Sequence, residues 1–207
     1  MYRQVLEKQE KVLGAEHPDT FVNLGYLGWL LKSQGKYKEA ETIDQQALEG
    51  QEKALCAGHP NTLIGINELG LLLCSHGKYQ EAEAMYRQAL KGQERVLGIE
   101  HPAMLKIISN LGLVLDGQGR YEEAEVMYQL ALEGQWRVLG AEHPDTLRTI
   151  NNLGLVLHSQ GKHEEAEVMC QHALEGLEKS LGAEHPNILT IINIHCAKAR
   201  KSMNKLK

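Results

Sequence analysis

The chain has 207 residues, 43 % of them hydrophobic and 24 % charged, which is typical of a packed protein and excludes a disordered one. Its formal net charge of -5 and isoelectric point near 6.1 offer no basic surface to phosphate backbones, so we expect no nucleic-acid partner. The first residues lack the apolar core of a signal peptide, and no run of about 18 apolar residues occurs, so we expect no membrane span and a cytoplasmic location.

Two short phrases recur along the whole chain at one interval. His-Pro occurs at 17/18, 59/60, 101/102, 143/144 and 185/186, always 42 residues apart. A Gln-Gly-Lys-Tyr phrase begins at Gln34 and returns with the same step as variants beginning at His76, Gln118 and Gln160. Such self-similarity predicts a repeat protein.

Each repeat is predicted to contain two helices. In the fourth unit, apolar residues from Leu147 to Leu157 follow helical spacing and predict helix A. After the break at Gly161, a second stripe from Ala166 to Leu177 predicts helix B. We therefore expect a helical hairpin in every unit.

The residue after His-Pro is expected to cap helix A. Four of these positions are polar: Asp19, Asn61, Asp145 and Asn187. Ala103 lacks such a side chain, which predicts that helix A of the third unit frays most easily.

Two sets of glycines recur with helix B, one at its end and one inside it. One set follows leucine and suits the left-handed residue that ends the helix: Gly14, Gly98, Gly140 and Gly182. At the junction that leads into the second unit Cys56 takes this place, with Gly58 two positions on, so this junction should differ. The other set lies inside helix B, which predicts either close approach of a neighbouring helix or a bend: Gly50, Gly92, Gly134 and Gly176.

The spacing of small and large residues resembles the tetratricopeptide repeat. The second and third units carry it most fully, as Leu69-Gly70, Leu73, Gly77, Ala82, Tyr86 and Ala89, and as Leu111-Gly112, Leu115, Gly119, Ala124, Tyr128 and Ala131. The 42-residue period and the Leu-Gly-x-x-His-Pro ending are similar to kinesin light chains and to repeat arrays of STAND-type nucleotide-binding receptors. The resemblance implies an all-α fold, a right-handed α-solenoid of stacked hairpins. Asp44 and Cys170 occupy the position of helix B at which the family has an aromatic residue, so these two units depart from the family pattern.

The repeat predicts a single superhelical domain over residues 1–207, divided by its period. Residues 1–17 form a partial repeat with helix B only, because Met1 to Leu13 align with Met85 to Leu97. Four full repeats follow at 18–59, 60–101, 102–143 and 144–185. Residues 186–207 form a terminal helix A and a basic tail. The opening partway through a repeat predicts a segment of a longer array or a truncated gene product.

The resemblance implies that helix A lines a concave face that binds peptides. The family's groove positions map to nine candidate contacts: Asn67, Asn110, Asn151, Asn152, Asn193, Arg148, Lys106, Tyr26 and Trp29. An asparagine row can bind a peptide main chain, because each amide offers a donor and an acceptor. Alternatively, these asparagines satisfy neighbouring helices or face water, and Trp29 packs against residues 1–13.

No arrangement for catalysis, metal binding or a cofactor is predicted. The His-Pro histidines lie whole repeats apart, so they cannot share one ion, and local hydrogen bonding is the better interpretation. The four cysteines, Cys56, Cys74, Cys170 and Cys196, show no CxxC pairing. The chain also lacks a GxxxxGK[ST] loop.

These observations predict a non-catalytic scaffold that binds a protein or an extended peptide on its concave face. A sensor or oligomerisation module of a STAND-type receptor, a kinesin-light-chain-like cargo adaptor segment and a purely structural array are the alternatives. The open N-terminal helix also predicts a homodimer.

Overall fold

A computed structural model of the protein describes residues 12, 14, 17–55, 59–93, 98 and 100–181. These residues form eight helices and no strand. The helices are α1 (Pro18–Ser33), α2 (Tyr37–Leu55), α3 (Pro60–Ser75), α4 (Tyr79–Gln93), α5 (Pro102–Gly117), α6 (Tyr121–Val138), α7 (Pro144–Ser159) and α8 (His163–Leu181). Odd-numbered helices are called A helices and even-numbered ones B helices. Each A helix packs against the next B helix, and successive hairpins stack. The prediction of an all-α solenoid of helical hairpins is confirmed.

Every described A helix begins with a histidine cap. The ring Nδ1 of His143 accepts a hydrogen bond from the backbone N–H of Asp145 at 3.1 Å, and Pro144 occupies the first helical position. His17, His59 and His101 do the same at 3.2, 3.2 and 3.3 Å. The interpretation of the His-Pro step as a site of local hydrogen bonding is confirmed.

The prediction that Asp19, Asn61 and Asp145 cap helix A was therefore wrong. These residues stand inside the helix, one position after proline, and donate their backbone N–H to the histidine instead. The backbone N–H of Ala103 makes the same bond, so α5 is capped like the other A helices. The reason for expecting this helix to fray most easily therefore does not hold. Asn187 lies outside the described residues.

The glycine predicted to close helix B has a left-handed backbone where the structure describes it. Gly14, Gly98 and Gly140 have φ values of 95°, 77° and 88°. Gly182 and the Cys56 to Gly58 junction lie outside the described residues.

The glycines inside helix B allow the two helices of a hairpin to approach closely. A Cβ added to Gly134 would lie 2.3 Å from Cδ2 of Leu105, and one added to Gly176 would lie 2.5 Å from Cδ2 of Leu147. Gly50 similarly faces the ring of Phe21. Of the two predicted reasons for these glycines, close approach is present at all three.

A second glycine notch, in the A helix, receives a large side chain from the B helix. Tyr86 lies against Gly70 and Tyr128 against Gly112, and both tyrosines are fully buried. The Tyr86 hydroxyl donates a hydrogen bond to the Asn67 carbonyl at 3.3 Å. These rings join the main core, which runs without interruption from Leu48 to Leu177.

A repeated polar bridge joins each B helix to the turn of the following unit. Arg120 contacts Glu83 at 2.8 Å and Gln118 donates to it at 2.9 Å. One repeat later, Lys162 and Gln160 contact Glu125 at 2.9 Å each. One repeat earlier, Lys78 and His76 pair with Glu41. The bridge therefore fixes the spacing of neighbouring hairpins at their outer edge.

Candidate interaction surface

The predicted peptide contacts lie on the A helices, and the structure places eight of the nine. Tyr26 and Trp29 are exposed on α1, with 56 % and 60 % of their surface accessible. Lys106 and Asn152 are half-buried on α5 and α7, and Arg148 is exposed on α7. Asn67, Asn110 and Asn151 are buried. Asn193 lies outside the described residues.

Two of the buried asparagines are bonded to each other. The Asn110 amide donates to Asn67 Oδ1 at 2.9 Å, joining α5 to α3. Ser109 and Thr149 form an equivalent hydroxyl contact of 2.9 Å between α5 and α7. Hydrogen bonds of this kind hold successive A helices at a fixed distance, and they leave these buried groups little surface for a peptide. Their role as peptide contacts stays a prediction.

The accessible part of this surface changes in charge along the stack. Lys106 and Arg148 give it basic character on α5 and α7, although Arg148 also contacts Asp145 at 2.9 Å. At the other end, Glu68 on α3 and the aromatic rings of α1 dominate. We call the accessible set Tyr26, Trp29, Glu68, Lys106, Arg148 and Asn152 the A-helix strip.

A cavity of about 280 Å³ opens at the α1 end of this strip, between α1, α2 and α3. Tyr26 and Trp29 stand on its α1 side, and Ile64 and Glu68 on its α3 side. Asp44 and Gln51 of α2 also line it, and both are only 4 % exposed. The cavity thus combines an apolar wall with buried polar groups.

Asp44 takes the place of the notch tyrosine in this first unit. Its Oδ1 occupies the space over Gly28, and its Oδ2 lies 3.2 Å from Nζ of Lys32. Burial raises the pKa of Asp44 above its usual range, and the nearby Lys32 ammonium partly offsets that rise. Lys32 also contacts Glu68 at 3.1 Å, so one ammonium serves two carboxylates.

Gln51 is a cavity residue that the sequence analysis did not single out. Its Oε1 is buried and has no hydrogen-bond partner among the described residues. A signal for it existed, because the repeat also places Gln93 and Gln135 at this register. The Glu83, Arg120 and Gln118 bridge was missed in the same way, although a glutamate and a basic residue recur at its positions every 42 residues.

The histidines and cysteines show no cluster in the part of the chain that the structure describes. No group of three or more metal-ligating side chains occurs there. Cys74 is half-buried and Cys170 buried, and neither forms a disulfide within the described residues. Trp136 is 48 % exposed. None of the described helices is long and apolar enough to cross a membrane.

Comparison with known proteins identifies the repeat. The family model for the tetratricopeptide repeat matches residues 1–53, 61–135, 119–179 and 145–193, which together cover most of the chain. The chain belongs to the tetratricopeptide repeat (TPR) family. A search of curated proteins gave no match to this TPR array.

Solved structures agree with this assignment. The TPR array is similar to a Podospora anserina protein described as a kinesin light chain with nearly identical TPR-like repeats. The two share 26 % identity over 87 % of this chain and 85 % of that one, with a TM-score of 0.67. BtubC (BKLC) from P. vanneervenii is 23 % identical over 89 % of this chain and 73 % of that chain, with a TM-score of 0.73. The apo form of RapI is 17 % identical over 98 % and 76 %, with a TM-score of 0.71. The predicted kinesin-light-chain-like type of TPR array is confirmed.

Family membership and these neighbours indicate a protein-interaction repeat scaffold. TPR arrays of this type are typically non-catalytic.

Proposed function

We propose that this TPR array binds an extended segment of a partner protein along the A-helix strip, without catalysing a reaction. The observation that carries the proposal is the layering of the helices. Successive A helices α3, α5 and α7 pack against one another more closely than successive B helices do. Closer spacing on one side is expected for the concave side of a curved stack, and a concave strip suits an extended ligand.

The charge gradient of the strip gives the ligand a direction. Lys106 and Arg148 favour an acidic stretch over α5 and α7, and Glu68 disfavours one over α3. Asn152 is the accessible amide on the strip and offers both a donor and an acceptor to a peptide main chain. A segment with its acidic end over α7 is the best electrostatic match.

An adaptor role of the kinesin light chain kind is the second candidate. The similarity to the Podospora anserina protein supports it, because that likeness extends over nearly the whole of both chains. The division of the chain into repeats also remains a proposal. It gives a partial repeat at residues 1–17, full repeats that begin at residues 18, 60, 102 and 144, and a terminal segment at residues 186–207. Homodimerisation through residues 1–13, the exclusion of nucleic acid and a cytoplasmic location also remain proposals.

A displayed random-peptide library can test the binding proposal. Peptides selected by the full chain should bind the K106E/R148E variant at least about tenfold more weakly, because both changes reverse charges on the strip. The matched control is E122K/E164K, which reverses two exposed charges at the start of B helices α6 and α8. Equal loss in both variants, or none in either with helicity intact, would contradict the proposal.

The buried asparagines need a separate variant. The triple change Asn110→Ala, Asn151→Ala and Asn152→Ala removes one accessible and two buried amides together. The proposal predicts weaker peptide binding, and circular dichroism shows whether the buried pair was needed for folding. Selecting the peptides first and titrating the variants by calorimetry keeps these two effects apart.

A further inference from the structure

The cavity between α1, α2 and α3 is a feature of this unit that the next unit does not share. Three register positions differ: Asp44 stands where the next unit has Tyr86, Gly25 where it has Asn67, and Gly65 where it has Ile107. The larger side chains Asn67, Tyr86 and Ile107 are all buried, on α3, α4 and α5. Their replacement by smaller ones leaves the opening of about 280 Å³.

Two of the polar groups that line this cavity, Asp44 and Gln51, are buried. The Oε1 acceptor of Gln51 has no partner among the described residues, as is also true of Gln135 at the same register, but Gln51 lines the cavity. An unsatisfied buried acceptor is destabilising by roughly 1–3 kcal/mol. A ligand that donates a hydrogen bond here would remove that penalty.

The charges around the opening favour a cation. Asp44 and Glu68 supply two carboxylates, and Lys32 supplies one ammonium that contacts both, at 3.2 and 3.1 Å. One negative charge is left over. Gln51 Oε1 adds a neutral acceptor beside these carboxylates in the lining of the cavity.

The rim favours a flat cation with an apolar stem. Tyr26 and Trp29 are exposed at the opening, and an aromatic face attracts a guanidinium placed over it. Val22, Ala47 and Ile64 form an apolar wall for a methylene stem. A guanidinium also has five N–H donors in a fixed plane, against three on an ammonium.

We infer that this cavity takes the arginine side chain of a partner segment, with the guanidinium between the Tyr26 and Trp29 rings and its donors directed to Asp44, Glu68 and Gln51. This inference rests on the proposed function, since the arginine would belong to the end of the segment that lies over α1 and α3. The acidic stretch over α7 and this arginine together make a bipolar recognition pattern.

The test uses the full chain and two short blocked peptides. One has a central arginine between glycines, and the other has citrulline there, which keeps the shape but loses the charge. The chain contains two tryptophans, so Trp29 and Trp136 give separate indole N–H signals in a nitrogen-proton NMR spectrum. We expect the arginine peptide to shift the Trp29 signal saturably, with the Trp136 signal unchanged.

Two variants assign the contacts. Asp44→Asn removes the charge at constant size, and Gln51→Leu introduces the residue that the fourth unit carries at this register, Leu177. Each should weaken arginine binding about tenfold, the size expected for one hydrogen bond to a charged group. Unchanged far-UV circular dichroism and an unmoved Trp136 signal show that the variants have folded.

Two results would overturn the inference: equal binding of the arginine and citrulline peptides, or full binding of the arginine peptide by the Asp44→Asn variant. The selected peptides of the library experiment separate the two proposals. If the selected peptides bind K106E/R148E more weakly but the arginine peptide does not shift the Trp29 signal, only the cavity inference is contradicted. If the arginine peptide shifts the Trp29 signal but the library yields no binding peptide, only binding along the A-helix strip is contradicted.

Discussion

Asp44 and Lys32 form an ion pair across the first hairpin, with Oδ2 and Nζ 3.2 Å apart and only 4 % of the Asp44 side chain accessible. In the following unit a tyrosine, Tyr86, occupies the position of Asp44 and needs no counter-ion. Replacing a buried ion pair by a well-packed apolar residue is often neutral or stabilising. The first hairpin therefore has a charged side chain, Asp44, at the position where the following hairpin has a buried core residue, Tyr86.

Restoring the tyrosine should stabilise the protein. Asp44→Tyr would fill the notch at Gly28 as Tyr86 fills the notch at Gly70, and we expect a gain of about 1–4 kcal/mol in the free energy of unfolding by urea. The reverse change, Tyr128→Asp, is the control and should destabilise by about 3–5 kcal/mol, because it opens a core that is now closed. If Asp44→Tyr destabilises as much as Tyr128→Asp, the first notch is not a tyrosine site.

The bridge at Glu83 should make stability depend on acid. Burial alone would raise the pKa of Glu83, but hydrogen bonds from Gln118, Arg87 and Arg120 lower it to about 2. The unfolded value is about 4.3, so the stabilisation is fully present above that pH and is lost as pH falls toward 2. Glu83→Gln should therefore cost about 1–3 kcal/mol at pH 7 and almost nothing near pH 2.

Urea unfolding of both proteins at several pH values measures this gap. The matched control is Glu122→Gln, which changes an exposed carboxylate at the start of α6. A gap between wild type and Glu83→Gln that stays constant from pH 7 to pH 2 would show that the bridge does not act through the ionised carboxylate.

The helical glycines should respond oppositely to alanine according to what they face. At Gly134 an added methyl would meet the buried Leu105 side chain, so Gly134→Ala should destabilise by about 1–3 kcal/mol. At Gly25 no atom lies within 4 Å of the added Cβ, so Gly25→Ala should stabilise by up to about 1 kcal/mol through helix propensity. Thermal unfolding distinguishes the pair, and a gain at both sites would show that the hairpin has room at Gly134.

The histidine cap should be replaceable by another acceptor but not by alanine. His143→Ala removes the Nδ1 acceptor for the Asp145 N–H and should cost about 1 kcal/mol, whereas His143→Asn should retain most of that stability. Faster amide hydrogen exchange in the first turn of α7 would locate the loss. Equal stability of the two variants would show that this hydrogen bond does not contribute to the stability of the protein.

The fold could be predicted from the sequence because one period carries its main determinants. The Leu-Gly notch, the alanines and the His-Pro step recur in register, so a single interpretation places every described hairpin. Cap assignment went wrong at Asp145 because more than one polar residue near a helix start can accept a hydrogen bond from an N–H of the first turn. The choice between them depends on the distance to His143, which composition does not encode.

Less of the candidate interaction surface than of the fold could be predicted from the sequence. Asn110 was singled out by its register, but its burial and its bond to Asn67 depend on the spacing between α3 and α5. The departure of Asp44 from the aromatic position was visible in the sequence. That it would open a cavity with Gln51 could not be read from it, because the opening depends on Gly25 and Gly65 on two other helices acting together.

Amide hydrogen exchange of the chain with and without a selected peptide tests the central claim most directly. The account predicts slowed exchange in the A helices α3, α5 and α7, over residues 60–75, 102–117 and 144–159, with little change in the B helices α4 and α6. Protection confined to the B helices, or none at saturating peptide, would contradict binding along the A-helix strip.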